Sequence, residues 1–137
     1  MSAELGVRCS EKALFNFERL AVYQQSLVLV DSVYELARVF PIEERFGLAD
    51  QFRRAATSIA LQIAEGSGRT KRDFRHFLRN ARASCYECVA IIQIARRRGY
   101  LELSRQAACL QQLTEISKML SGLMRSLGTV HSGAAPR

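Results

Sequence analysis

An all-α fold, an antiparallel up-down-up-down four-helix bundle, is what this sequence of 137 residues predicts. Three observations carry the prediction. Four long stretches repeat apolar residues at alternating spacings of three and four, the period of a helix with one buried face. The breaks between them are short and contain proline or glycine, which favours antiparallel neighbours. No alternating β-branched run bounded by turn residues is present, so strands have no signal.

The first stretch opens at Phe17 and places Leu20, Tyr23, Leu27, Val30, Tyr34, Ala37 and Phe40 on one face. Pro41 ends it, because proline disfavours helical geometry in the residue before it. After the turn from Pro41 to Gly47, the second stretch carries Leu48, Phe52, Ala56, Ile59 and Ile63, runs to Glu65, and is broken by Gly66-Ser67-Gly68. The third begins with a capping box, Thr70 with Asp73 three places on. Its core seam is Phe74, Phe77, Leu78, Ala81, Cys85, Cys88, Ile92 and Ala95, over roughly 42 Å at 1.5 Å per residue from Lys71 to Arg98. Gly99 stops it. The fourth carries Leu103, Ala107, Leu110, Leu113, Ile116, Leu120, Leu123 and Leu127, with its exit at Gly128. One domain over residues 16–127 follows. Residues 1–15 and 128–137 lack a core pattern and are expected to be flexible tails. Val22, Val28, Leu36 and Val89 sit off the stripes and are expected to be exposed, as material for an interface.

Charge is distributed unevenly. Between Arg69 and Arg98 stand nine basic residues and two acids, a balance of +7, which equals the net charge of the whole chain. The remaining residues therefore sum to zero. Arg72, Arg75, Arg79 and Arg82 fall on one strip beside the core seam of the third helix, and Tyr86, Gln93 and Arg97 extend it. Arginines one turn apart present forked donors to successive phosphates, and a tyrosine among them offers a ring to an unpaired base. The bland alternatives are a solvated face or a subunit interface.

Other chemistry finds little support. No window is apolar enough for a membrane span, and no signal-peptide run opens the chain, so a soluble cytoplasmic protein is expected. The third helix holds Cys85 and Cys88 in a C-x-x-C, but in mid-helix, on the core seam, with no second pair or nearby histidine, which favours small buried hydrophobes over zinc or redox work. Cys9 stands in the expected N-terminal tail. His76 is alone on the exposed side of the third helix and His131 is in the C-terminal tail. No Glu-x-x-His pair is present for a di-iron site, no serine or cysteine sits with a base, and Gly66-Ser67-Gly68-Arg69 lacks the spacing and lysine of a P-loop. A non-enzymatic protein without metal or cofactor is expected. Gln62, Glu65 and Glu87 lie beside apolar stripes and are expected to be structural. Turned inward, they need partners such as Arg53, Arg54 or Arg69, since an unpaired buried charge is costly. Glu65 in particular is expected to tie the Gly66-to-Arg69 turn to the bundle.

Several short motifs stand in a characteristic order: Leu20-Ala21-Val22-Tyr23-Gln24, Phe40-Pro41 with Glu44, Phe46-Gly47-Leu48, Gln51-Phe52-Arg53-Arg54-Ala55-Ala56 with Ser58-Ile59, Ile63-Ala64-Glu65-Gly66 with Gly68-Arg69, then Phe74, Phe77, Leu78, Ser84, Glu87 and Gly99-Tyr100-Leu101. In this the chain resembles the four-helix-bundle proteins encoded in intervening sequences of bacterial large-subunit ribosomal RNA genes, from about residue 17 to 125. Gln62 stands where that family usually has asparagine and Tyr23 where it often has tryptophan. The family is similar in fold to accessory proteins of diversity-generating retroelements, which form homopentamers and bind RNA together with a reverse transcriptase. The resemblance implies a homo-oligomer, with a pentamer favoured. Charge and resemblance together point to RNA or DNA as partner, through Arg69, Lys71, Arg72, Arg75, Arg79 and Arg82 with Arg53 and Arg54 behind them. The rival expectation is a scaffold that docks a protein such as a reverse transcriptase.

Overall fold

The structure, a computed structural model, describes the backbone of residues 15–134 and side chains as far as Gly128. Four helices make up the bundle: α1 Ala21–Ala37, α2 Leu48–Ser67, α3 Lys71–Arg97 and α4 Leu103–Ala134. One-turn 3-10 segments, Asn16–Arg19 and Ile42–Glu44, precede α1 and α2. Each helix packs on its neighbours in sequence, and α1 closes the ring against α4. The α2–α3 pair runs antiparallel, because Ser84 donates to Ser58 (3.0 Å) and Asn80 to Gln62 (3.5 Å), the numbers rising on one helix as they fall on the other.

The core faces of α2 and α3 follow the apolar period. Phe52, Ala56, Ile59 and Ile63 on α2, and Leu78, Ala81, Cys85, Cys88, Ile92 and Ala95 on α3, are fully enclosed. The face of α1 is rotated by about one position from the expected one. Its buried residues are Val22, Ser26, Leu29, Val33, Leu36 and Ala37, while Leu27 and Tyr34 are exposed. The true stripe passes through a serine, which masks it to an apolar count; the Ser26 hydroxyl is satisfied by donating to the Tyr23 carbonyl at 2.6 Å. Val22 and Leu36 are therefore core residues and not free interface material, Val89 is half-buried, and Val28 alone of that group is exposed. A similar shift occurs early in α4, where Gln106 and Cys109 face inward in place of Leu103 and Ala107, and Met124 is more enclosed than Leu123 or Leu127.

Helix ends obey local chemistry. The Thr70 hydroxyl accepts the Asp73 amide at 3.1 Å, the first half of the expected capping box. Thr70→Ala is expected to cost about 1 kcal/mol, seen as a melting temperature lower by about 4 °C. At the far end of α3, Gly99 adopts φ +82°. There the Tyr100 amide reaches the Ala95 carbonyl and the Gly99 amide the Arg96 carbonyl, the double closure that needs a left-handed residue. The backbone of α4 continues through Gly128 to Ala134, beyond the expected exit. One interior glycine costs a helix only about 1 kcal/mol and does not end it without a competing cap. The expected tail residues 1–14, with Cys9, and 135–137, together with the His131 side chain, lie outside the described residues.

One end of the bundle is closed by aromatics. Phe40 stacks on Phe52 at 5.8 Å between ring centroids and meets Tyr100 at 5.6 Å. Above them Glu44 accepts the Leu48 amide, capping α2, and the Tyr100 hydroxyl, each at 2.9 Å. These two bonds hold the Glu44 carboxyl below its usual range.

Cys85, Cys88 and Cys109 are free and buried where α3 meets α4. Burial pushes the Cys85 thiol up to about 12 and Cys109 up to about 11, and raises Cys88 further, with Cys85 and Cys109 beside it adding to the effect. The unfolded chain would release these protons near pH 8.5 while the folded chain retains them. Stability from this source is thus intact at neutral pH and falls as pH rises. A melting temperature that is flat near pH 7 and declines above about pH 9, with Cys85, Cys88 and Cys109 silent to an aromatic disulfide reagent in the native protein, is the expected result.

Candidate nucleic-acid interface

Every member of the arginine strip on α3 comes from one helix whose position is fixed by its opposite, fully packed face. The turn into it is set by Gly66, which is buried in the last turn of α2 against Phe74 and Phe77. On top of that contact, Arg69 lies over the Phe77 ring at 4.9 Å and donates through Nε to the Glu65 carbonyl at 3.3 Å. Here the expectation for Glu65 is corrected. Its backbone carbonyl, not its carboxylate, joins the turn, and the carboxylate is exposed. Glu87 is exposed as well. Only Gln62 among the three expected structural polar residues is half-buried, with its side-chain oxygen toward Asn80.

The strip borders α4. Arg82 donates to the Ser121 hydroxyl at 2.9 Å, and the Arg75 guanidinium lies within 3.2 Å of the space a side chain at Gly128 would take. Arg72 and Arg79 are exposed beside them, and Arg69 and Lys71 are exposed at the start. Among the described residues no ion pair engages any of these six cations, the three found being Arg38–Glu35, Arg53–Asp50 and Arg54–Asp50. Like charges at spacings of three and four on a helix repel by a few tenths of a kcal/mol per pair. The strip Arg72, Arg75, Arg79 and Arg82 thus costs the isolated helix stability, and an anion laid along it would relieve that cost.

Arg53 and Arg54 do not join the strip. Both pair with Asp50, at 3.8 and 2.8 Å. Arg53 also donates to the Arg45 carbonyl and covers the Tyr34 ring. Because α2 and α3 are antiparallel, these two sit toward the C-terminal end of α3, where Arg54 shares a surface groove with Ile94 and Arg98. They carry no part of a surface centred on Arg75 and Arg79.

Lys118 of α4 is a member that sequence reasoning overlooked. It lines a groove with Tyr86 across the α3–α4 seam and is exposed. A lysine and Arg125 seven places on, both on the polar side of α4, were the available signal. No carboxylate lines that groove. Among the described residues no group of three or more His, Cys, Asp or Glu side chains is placed to hold a metal ion, and no helix is long and apolar enough to cross a membrane.

Comparison with known proteins matches residues 18–122 to the family model described as 23S rRNA-intervening sequence protein. A crystal structure of a protein with unknown function from the S23 ribosomal protein family of Bacteroides thetaiotaomicron superposes with a TM-score of 0.70. It is 24% identical, over 76% of this chain and 95% of the other, a likeness of fold. No curated protein sequence matches.

Proposed function

Since the chain belongs to the 23S rRNA-intervening sequence protein family, we propose that it is a basic bundle that binds nucleic acid, RNA foremost, through phosphate contacts and without catalysing a reaction. The observation that carries this reading is the run Arg72, Arg75, Arg79 and Arg82, bordered by Lys118 and paired with no carboxylate among the described residues. Arg69 and Lys71 extend it at the N-terminal end of α3, where free backbone amides add to the attraction for anions. Such contacts are sequence-independent and release counterions. Homo-oligomerisation would set several strips side by side, and a pentamer is the arrangement that the family resemblance favours.

Titrating the purified protein against labelled single-stranded RNA and duplex DNA, by fluorescence anisotropy over a salt series, tests the reading. Micromolar or tighter binding that falls linearly with log salt is expected. Absence of binding at low salt would overturn it.

A second reading, a scaffold that docks a protein such as a reverse transcriptase, draws on the exposed apolar side chains Ile42, Phe46 and Ile94 around the Glu44 end of the bundle. Under it, the isolated protein shows little affinity for RNA at moderate salt and the Phe46→Ser variant loses the protein partner.

A further inference from the structure

Deepening the nucleic-acid reading, on which it rests, we infer that the α3–α4 seam takes a single strand, holding one unpaired base in the groove beside Tyr86 while the arginines track its backbone. The groove measures about 380 Å³, within the range of clefts that admit small planar ligands. Its floor is apolar: Cys85 and Leu113 are enclosed and Val89 is half-buried. Tyr86, 58% exposed, and Lys118 stand at its rim. A tyrosine on a polar helix face, with its ring bare beside an apolar floor, is suited to stacking on a base.

Placement decides what covers it. Tyr86 follows Arg82 by one helical turn on the strip that begins at Arg72, so a backbone laid on Arg75, Arg79 and Arg82 brings its next nucleotide to the groove. Lys118 stands on the opposite rim to meet a phosphate beyond it. The one charged side chain lining the groove, Lys118, is a cation, which suits a phosphate-bearing nucleotide and disfavours a basic protein segment. Farther along, Gln93, Arg96 and Arg97 line a second groove of about 600 Å³. Gln106 in its wall is 7% exposed, and its side-chain oxygen has no hydrogen-bond partner. That oxygen is itself enclosed in the wall, and a turn of the side chain toward the groove would offer it as an acceptor to the N–H of a base edge, a group that a duplex keeps occupied in pairing.

The test compares a labelled oligouridine, an abasic strand with the same number of phosphates, and duplex RNA of equal length, against the full chain by anisotropy at several salt concentrations. Oligouridine is expected to bind about tenfold more tightly than the abasic strand. Tyr86→Ala should abolish that margin without changing the salt slope, and Tyr86→Phe should retain it; both fold, since the ring is exposed. If oligouridine, abasic strand and duplex bind alike and Tyr86→Ala changes nothing, the base-holding groove is overturned while the phosphate surface stands. If none of the three binds, the nucleic-acid reading itself falls and the groove with it.

Discussion

Gly66→Ala is expected to destabilise the bundle by about 2 kcal/mol, within the range for overpacking. The sign is the informative part. In an exposed helix the same change stabilises by up to about 1 kcal/mol, because glycine is the weaker helix former. Here a methyl group would lie 2.5 Å from Phe77 Cβ, 3.0 Å from its Cγ and 3.1 Å from Phe74 Cδ1. A Cβ atom is fixed to its backbone and cannot swing aside, so the end of α2 and the start of α3 must separate. Gly68, two residues on, has open space around it, and Gly68→Ala should stay within about 0.5 kcal/mol of the parent. Thermal or urea unfolding of the two variants checks both, and a stabilised Gly66→Ala would show that the close approach is absent.

Substituting Arg75 and Arg79 together with alanine is expected to weaken RNA binding about tenfold at moderate salt and to reduce the log–log salt slope by about 1.4, two single-strand phosphate contacts. The melting temperature should hold or rise slightly, since the pair repels at a spacing of four. Affinity and stability thus separate in one variant. A large loss of melting temperature would mean that the two arginines hold the α3–α4 contact, and the phosphate role would fall with it. Arg53 and Arg54, engaged by Asp50, serve as the comparison pair: their replacement should leave the slope unchanged.

Much of this was legible before the structure. The α2 and α3 faces contain no polar residue in their inner stripes, so a period of three and four found them. On α1 and early α4 the stripe runs through Ser26 and through Gln106, and an apolar count slipped to the adjacent row, exposing Leu27 and Leu103 where core was expected. The strip itself was legible because its arginines share one helix. Spacing could place Lys118 on the polar side of α4, but that it meets Tyr86 across the seam follows from tertiary packing that no local spacing reports. Gly66 read as punctuation between helices, yet it lies inside α2 and permits a close approach to Phe77, which no pattern within α2 encodes.

The hydrogen bond between Tyr100 and Glu44 has a kinetic meaning. It spans 56 residues of sequence, joining the connection within the α1–α2 hairpin to the connection within the α3–α4 hairpin. Either hairpin forms from contacts local to itself, which close quickly. This bond waits until the two have docked, so it belongs to the late part of assembly. Interactions absent from the transition state act on the rate of unfolding and leave the rate of folding nearly unchanged. Glu44 is therefore expected to act as a latch on the docked hairpins, its loss speeding unfolding and leaving the folding rate nearly unchanged.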